Sequence, residues 1–199
     1  MSKAGKRIFD LFFAVPGFLL CAPFVWLAAA IIKLASPGPA FFRQTRVGKN
    51  GREFRLVKFR TMKTGAEAMG PPLTIGEDPR ITRVGAFLRR TKLDEIPQLF
   101  NVLTGDMSLV GPRPEVPRYV AFYNEENKKV LDLVPGITDP ASIAFCNESE
   151  LLGESSHPEE KYLNEIMPAK IRLNLLYSRQ ATVCEDFKVI LKTLKCLIG

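Results

Sequence analysis

The sequence feature that most constrains the fold is an uncharged apolar run over residues 11–32. About twenty apolar residues are enough to form a transmembrane helix. Pro16 and Pro23 interrupt the run, and a proline inside a helix removes a backbone donor and bends or breaks the helix. Basic residues flank the run on both sides: Lys3, Lys6 and Arg7 before it, and Lys33, Arg43, Arg46, Lys49 and Arg52 after it. Because positive charge stays cytoplasmic, a single span would place one basic flank on the wrong side of the membrane.

Three arrangements of this segment are compatible with the residues alone. In a re-entrant hairpin, the chain enters the membrane, bends near Ala22 and Pro23, and leaves on the same face. In a bent single span, the prolines are tolerated within one crossing helix. A cleaved signal peptide would use the small residues at 28–30, although Asp10 inside the leader fits that arrangement poorly. On the residues alone, the hairpin and the bent span stand nearly equal, and the signal peptide ranks last.

Composition narrows the function classes. The net charge is +7, from 28 Lys and Arg against 21 Asp and Glu, which indicates an anionic partner such as nucleic acid, an acidic membrane or a phosphorylated substrate. The positive charge is dispersed and no nucleic-acid-reading motif is present, which argues against nucleic acid. His157 is the only histidine, which argues against Ser-His-Asp, Cys-His and His-ligated metal mechanisms. The 4 cysteines lack CxxC spacing and predict reduced thiols in a cytoplasmic protein.

Hydrophobic patterning predicts an α+β fold that is mainly helical. Residues 40–46 and 53–60 read as two strands of a small β-hairpin, and a helix follows from Ile81. Residues 184–198 form a helix with one apolar face, which either lies on an anionic membrane or covers the core. The expected organisation is a membrane anchor of two helices separated by a break over residues 1–36, then a compact cytoplasmic domain with interfacial amphipathic helices over residues 37–199.

Two adjacent carboxylates, Asp94 and Glu95, open a predicted short helix that has Pro97 in its first turn. One interpretation makes Asp94 an N-cap and Glu95 a partner of the helix dipole, with no catalytic role. The other uses the same carboxylates to hold a divalent metal or to supply a nucleophilic oxygen.

A rigid arginine favours the catalytic interpretation. Arg113 lies between Pro112 and Pro114, whose rings restrict the backbone, and a guanidinium can bind a phosphate through two parallel hydrogen bonds. Lys58 and Arg60 are candidate phosphate-binding cations as well. Two acids, several cations and an apolar anchor together indicate metal-assisted phosphoryl transfer at a lipid interface. The competing hypothesis is a non-catalytic membrane adaptor, which explains the charge and the apolar segment but not these residues.

The chain resembles the small monotopic phosphoglycosyl transferases among the bacterial sugar transferases. The resemblance depends on several motifs in one order along the chain: Arg7-Ile8-Phe9-Asp10, Lys58-Phe59-Arg60-Thr61-Met62, Leu93-Asp94-Glu95 with Gln98-Leu99-Phe100-Asn101-Val102-Leu103, residues 105–114, and Pro135-Gly136-Ile137-Thr138. It covers residues 6–138 well and the C-terminal part weakly.

The resemblance implies an enzyme that transfers a sugar-1-phosphate from a UDP-sugar to polyprenyl phosphate, usually undecaprenyl phosphate, and releases UMP. It implies that Asp94 is the nucleophile and a ligand of Mg²⁺, that the intermediate is a phosphosugar–aspartyl ester, and that Glu95 assists the metal or proton transfer. It assigns phosphate or substrate binding to the following residues: Lys58, Arg60, Gln98, Arg113 and Asp186.

The same resemblance favours the re-entrant hairpin and a location at the cytoplasmic face of a bacterial inner membrane. The implied partners are the UDP-sugar, the polyprenyl phosphate and membrane lipids, without nucleic acid, and a homodimer is left open. Two departures stand out. Ala22 precedes Pro23 where the family has a serine, and Asp139 and Pro140 follow Thr138 where many relatives have Gly-Trp. The second departure lies where sugar choice is decided in this reading, so the donor sugar is not assigned.

Overall fold

The computed structural model describes residues 3–76 and 78–198 and confirms a mainly helical protein with little sheet. The helices are α1 Lys3–Ala35, α2 Arg83–Arg90, α3 Leu99–Thr104, α4 Pro117–Val120, α5 Glu125–Lys128, α6 Pro140–Ala144, α7 Glu148–Gly153, α8 Pro158–Lys161, α9 Met167–Gln180 and α10 Val183–Ile198. The strands are β1 Phe41–Val47, β2 Glu53–Phe59, β3 Ser108–Val110 and β4 Gly136–Thr138. Short 3-10 turns occupy Lys49–Gly51, Ala66–Met69, Leu93–Gln98 and Lys129–Asp132, and a π-helical turn occupies Tyr162–Ile166.

The predicted β-hairpin is confirmed to within one residue at its ends. β1 and β2 pair antiparallel, with Phe41 opposite Phe59, and the two rings stack with their centroids 5.4 Å apart. The connecting turn uses Asn50 and Gly51 at positive φ, which reverses the chain tightly. A second, parallel pair of strands joins β3 to β4. The hairpin also carries Lys58, which is the residue before the last one of β2.

The predicted break at Ala22 and Pro23 is not confirmed, because α1 is continuous through both Pro16 and Pro23. A proline removes one backbone hydrogen bond, and the neighbouring turns keep the helix where tertiary contacts hold them. Such contacts exist before and after Pro23, since Ala14 belongs to one buried cluster and Ala28 to another. The re-entrant path of this segment stays a prediction.

One side of α1 packs on the globular body, and the other side is apolar and exposed. The packed side carries three alanines and one isoleucine, and the small alanine side chains allow α1 to approach the body closely: Ala14, Ala28, Ala29 and Ile32. The exposed side carries large apolar residues: Ile8, Phe12, Leu19, Leu20, Trp26, Leu27 and Leu34. Within the described residues, α1 is the single helix that is long and apolar enough to cross a membrane.

Polar side chains near the start of α1 attach it to the body. Arg7 donates to two carbonyl oxygens at the C-terminal end of α3, at 2.5 and 2.8 Å. The last carbonyls of a helix lack intrahelical partners, and the guanidinium adds donors to the Leu103 carbonyl and to the Val102 carbonyl, which also accepts from the Gly105 N–H. Asp10 is buried and accepts hydrogen bonds from the Ser108 hydroxyl at 2.9 Å and the Leu109 N–H at 3.0 Å. The first turns of α1 are therefore fixed to α3 and β3.

The C-terminal part of the chain builds its own apolar core around α9. That core combines aromatic and aliphatic side chains from α4 and the residues after it, the 3-10 turn Lys129–Asp132, α7, the π-helical turn and α9: Tyr119, Tyr123, Val130, Leu152, Tyr162, Ile166, Met167 and Ile171. The helix predicted over residues 184–198 is confirmed as α10, whose apolar side chains Phe187, Leu191 and Leu194 are exposed. In the described residues, this apolar face does not cover the core.

Gly85 permits the packing of α2 against the segment after β2. A Cβ at Gly85 would lie 2.0 Å from the Thr61 carbonyl oxygen, which is part of the backbone and cannot rotate away. In an ordinary helix interior Gly→Ala stabilises by about 0.5–1 kcal/mol. Here we expect Gly85→Ala to destabilise the fold by about 1–3 kcal/mol, because overpacking must displace α2.

Thermal unfolding of the detergent-solubilised protein measures this effect. The exposed neighbour Ala86 supplies the control, and Ala86→Ser should leave the unfolding temperature close to that of the wild type. An unfolding temperature that rises in Gly85→Ala would refute the contact between α2 and Thr61.

Candidate active site

Asp94 lies in the 3-10 turn Leu93–Gln98, which begins after Lys92 in the left-handed conformation and leads directly into α3. The interpretation of Asp94 as a helix N-cap is wrong, because the turn begins after Lys92 and Asp94 lies inside it. Asp94 is 6% exposed, and its Oδ1 atom has no hydrogen-bond partner among the described residues. A buried carboxylate oxygen without a partner is costly and is typical of functional sites.

Glu95 points to a different partner. Its two carboxylate oxygens accept hydrogen bonds from Arg113, at 2.5 Å from Nη2 and 3.2 Å from Nη1. Burial alone would raise the pKa of Glu95, but the charge and hydrogen bonds of Arg113 hold that pKa below its usual value. The charge of Glu95 in turn raises the pKa of Arg113. Glu95, one of the two predicted acids, and the proline-flanked Arg113 thus form a bidentate ion pair.

Asp94 is the acid of the pair that remains available. Burial raises the pKa of Asp94, and the neighbouring negative charge of Glu95 raises it further. Three cations act in the opposite direction and favour the ionised form: Lys58, Arg89 and Arg113. The two adjacent carboxyl groups therefore have pKa shifts of opposite sign.

Lys58, which the sequence predicts to bind phosphate, lies close enough to Asp94 for each group to affect the pKa of the other. It lies near the end of β2, half-buried, with its Nζ atom 5.4 Å from the centre of the Phe42 ring. Burial, followed by the positive charges of Arg46, Arg89 and Arg113, lowers the pKa of Lys58 to about 8. Asp94 partly compensates by raising it, so the two groups stabilise each other's charged forms.

Sequence reasoning missed two arginines that complete the cationic surroundings. Arg89 on α2 donates to the hydroxyls of Thr61 at 2.8 Å and Thr74 at 2.7 Å, which fixes its guanidinium near Asp94. Arg89 follows Gly85 by four residues, so both lie on the helix face that packs on Thr61. Helical periodicity could therefore have indicated that Arg89 faces the body rather than solvent. Arg46, at the end of β1, lies close enough to lower the pKa of Lys58.

The hairpin also holds the loop that carries Arg113. Arg46 Nη1 donates to the Pro114 carbonyl oxygen at 2.9 Å, and the Val47 N–H donates to the Glu115 carbonyl oxygen at 2.9 Å. These two bonds hold the two residues that follow Arg113, so β1 orients the loop. Arg46 therefore positions the loop. The sequence pattern of the hairpin did not distinguish Arg46 from basic residues that are exposed to solvent.

Arg60, predicted to bind phosphate, lies instead at the C-terminal end of α1. Its buried guanidinium donates to the carbonyl oxygens of Pro37 at 2.5 Å and Ser36 at 2.7 Å, and to the Ser36 hydroxyl at 2.9 Å. A helix end leaves several carbonyl groups without partners, and Arg60 supplies donors next to them. The structure thus gives Arg60 a role in joining α1 to β2, and its phosphate-binding role stays untested.

Gln98 and Asp186 occupy different environments. Gln98 is 1% exposed, lies in the same turn as Asp94, and its Nε2 atom has no partner in the part of the chain that the structure describes. Asp186 accepts a hydrogen bond from the Tyr177 hydroxyl and pairs with Lys6, each at 2.7 Å. Asp186 therefore ties α10 to α9 and to the start of α1, and its side chain pairs with these two residues rather than with the cations around Asp94.

The arrangement suits chemistry on an anionic phosphate. An ionised Asp94 is a nucleophile or a metal ligand, and the surrounding cations offset the charge of a bound diphosphate. Among the side chains that the structure describes, no group of three or more His, Cys, Asp or Glu residues is placed to hold a metal ion.

Comparisons with known proteins find relatives that are named as sugar phosphate transferases. The family model described as bacterial sugar transferase matches residues 1–199. A Bacillus subtilis (strain 168) protein, provisionally named an undecaprenyl-phosphate N-acetylgalactosaminyl 1-phosphate transferase, is 47% identical over 133 residues, which are 67% of this chain and 70% of the relative. A Caulobacter vibrioides protein named UDP-glucose:undecaprenyl-phosphate glucose-1-phosphate transferase is 38% identical over 97% of this chain and 69% of its own length.

A longer relative matches only in part. The Escherichia coli (strain K12) UDP-glucose:undecaprenyl-phosphate glucose-1-phosphate transferase is 37% identical over 94% of this chain. The match spans 39% of that relative. The relatives that match this chain thus carry names for different sugars and extend beyond it to different degrees.

The raised pKa of Asp94 has a consequence for stability. A carboxyl group whose pKa is higher in the folded than in the unfolded protein holds its proton more tightly when folded, so stability falls as pH rises from the usual Asp value, about 3.9, through the folded pKa. Asp94→Asn removes this loss. We expect the variant to unfold at a higher temperature than the wild type at neutral pH, and at nearly the same temperature below about pH 4.

Thermal unfolding in detergent between pH 4 and 8, with a chelator present, tests this expectation. Asp132→Asn serves as the control, because Asp132 is exposed and its removal should change the unfolding temperature little at any pH. If Asp94→Asn unfolds at a lower temperature than the wild type at neutral pH, the ionised Asp94 carboxylate does not destabilise the fold, and the expectation is wrong.

Proposed function

Because this chain belongs to the bacterial sugar transferase family, we propose that it transfers a sugar-1-phosphate from a UDP-sugar to undecaprenyl phosphate and releases UMP. The observation that carries this proposal is the Asp94 carboxylate, which is buried, has a free oxygen and is surrounded by three cations. The product would be the first membrane-bound intermediate of a surface glycan.

In the first step, an oxygen of ionised Asp94 attacks the phosphorus that bears the sugar. The bond from that phosphorus to the bridging oxygen breaks, and UMP leaves with its electron pair. Asp94 then carries the phosphosugar as an acyl phosphate. The cationic surroundings support this step because a carboxylate and a diphosphate repel each other in water.

In the second step, an oxygen of the polyprenyl phosphate attacks the same phosphorus. The bond to Asp94 breaks, and the carboxylate is regenerated. Two steps suit the chemistry because the donor and the acceptor are both polyanions. UMP can leave before the lipid phosphate arrives, so the site never has to hold both at once.

Arg113 must exchange partners for this mechanism to operate. In the structure its guanidinium binds Glu95, and the same fork geometry fits two phosphate oxygens. A bound diphosphate would compete for Arg113 and release Glu95 beside Asp94. Glu95 would then be available to assist the metal or proton transfer.

Mg²⁺ fits this site as the cofactor. Mg²⁺ is usually held by one or two protein carboxylates together with substrate phosphates, and the unpartnered Oδ1 of Asp94 supplies such an oxygen. When bound, the ion would neutralise charge on the diphosphate. Glu95 would join it only after leaving Arg113.

The packing of α1 supports a location at one face of the membrane. Arg7 and Asp10 attach the start of α1 to the body. Near the middle of α1, the centroids of the Phe24 and Phe59 rings lie 6.4 Å apart, and Arg60 binds the residues at the end of the helix. A helix attached to the body along its whole length cannot cross the bilayer unless it takes charged parts of the body with it. The exposed apolar sides of α1 and α10 would lie in the cytoplasmic leaflet of the inner membrane, at the depth of the acceptor phosphate.

Removal of the nucleophile tests the reaction. We expect Asp94→Asn to lower the rate of UMP release from UDP-sugar, polyprenyl phosphate and Mg²⁺ by at least about 1,000-fold, because an amide cannot form the acyl phosphate. A donor labelled in its sugar phosphate should label the wild-type chain covalently but not the variant. Asp132→Asn should retain full activity, and normal turnover by Asp94→Asn would exclude Asp94 as the nucleophile.

Labels at the two ends of the chain test the topology. In inverted inner-membrane vesicles, protease added outside should remove both labels, because both ends lie on the cytoplasmic side in the re-entrant arrangement. In the bent single span, only one of the two labels would be removed. Protection of the N-terminal label would therefore refute the proposed arrangement.

A further inference from the structure

A cavity lies between the loop that carries Arg113 and helix α9, and the mechanism above does not use it. It is lined on one side by Pro112, Arg113 and Pro114, and on the other by Met167, Ile171 and Asn174. Tyr123 and Lys170 also contribute to its wall. The cavity has a volume of about 40 Å³ and opens to solvent. We refer to it as the loop–α9 cavity.

The charged side chains of the loop–α9 cavity are already paired. Glu115 accepts hydrogen bonds from the Val116 N–H and the Tyr162 hydroxyl. Lys170 donates to Glu148 at 2.6 Å. Arg113 binds Glu95, and in the proposed mechanism it exchanges Glu95 for the donor diphosphate, so it is not available to a second anion. An anion entering this cavity would therefore have to break an existing pair, and a neutral group would not.

Two neutral side chains of the cavity have no such partner. Asn174 is 6% exposed and Tyr123 is 9% exposed, and neither side chain forms a hydrogen bond with any other described residue. Their polar atoms are not completely buried, so they can exchange water for a polar group of a ligand. An amide and a hydroxyl thus line a small space that is open to solvent and whose wall also includes the apolar residues Met167, Ile171 and Val130.

From the proposed function, we propose that the loop–α9 cavity receives the acetamido group of a 2-acetamido sugar donor. An acetamido group combines one N–H donor, one carbonyl acceptor and a methyl group, which match Asn174, Tyr123 and the apolar wall. A sugar hydroxyl has about the size of one water, which needs about 10–15 Å³, and would leave most of the cavity empty. The substituent at C2 lies next to the carbon that bears the phosphate, and the cavity lies directly against the loop that holds the phosphate-binding Arg113.

Matched pairs of donors test this inference. UDP-N-acetylglucosamine is compared with UDP-glucose, and UDP-N-acetylgalactosamine with UDP-galactose, so that each pair differs only at C2. We expect the wild-type kcat/KM for the better acetamido donor to exceed that for its 2-hydroxy counterpart by at least about tenfold. A site built to hydrogen-bond a group discriminates strongly against the analogue that lacks it.

Variants of the cavity should change this ratio. Asn174→Leu should lower kcat/KM for the acetamido donor by about tenfold and leave the 2-hydroxy donor within about twofold. Tyr123→Phe, which keeps the ring, should lower it by about threefold. Asn164→Leu replaces an exposed asparagine and should change neither donor. Because the readout is a ratio within one preparation, partial misfolding lowers both donors equally and leaves the ratio unchanged.

The outcomes separate this inference from the proposed function. If no UDP-sugar yields UMP with the wild type, the proposed function itself fails. If UMP is released but the wild type does not favour the acetamido member of a pair, the assignment of the cavity is wrong. The assignment is also wrong if Asn174→Leu lowers both donors equally, as expected for a cavity that only holds water.

Discussion

The attachment of α1 to the body is the constraint on which the rest of the structure depends. Arg7 closes the C-terminal end of α3, the helix that follows the Asp94 turn, and Arg60 joins the end of α1 to the end of β2, beside Lys58. These hydrogen bonds join the apolar helix to the elements that carry Asp94 and Lys58. A carboxylate attached in this way would keep its height relative to the exposed apolar side of α1, which is what the proposed reaction with a lipid phosphate requires.

Two adjacent acids obtain different properties from their surroundings. Glu95 is paired with Arg113, which lowers its pKa, whereas Asp94 is buried beside Glu95 without a partner for one oxygen, which raises its pKa. The pair of Glu95 and Arg113 satisfies both charges. Asp94 retains the unfavourable environment, and cations rather than hydrogen bonds keep its ionised form accessible. Such a carboxylate is destabilising for the fold and suited to reaction with a phosphate.

Local sequence patterns predicted much of the fold and the centre of the site. The alternating residues of the hairpin, the apolar run and the periodicity of α2 and α10 each depend on near neighbours, and each is present. The four residues Lys58, Asp94, Glu95 and Arg113 were predicted together, and the structure brings them together. Arg60 and Asp186 were predicted with them and lie elsewhere, because a basic or acidic residue near a motif carries no information about which buried partner it meets.

The sequence by itself determined that the chain has an apolar N-terminal helix, a basic body and a rigid arginine downstream of two acids, since these follow from composition and local backbone chemistry. Only the tertiary structure decided that Glu95 rather than Asp94 binds Arg113, and that Arg46 and Arg89 belong to the same site. It also left Asn174 and Tyr123 unpaired in one cavity. The physical reason is that hydrogen bonds and burial depend on contacts between residues far apart in the chain, and those contacts exist only after the helices have packed.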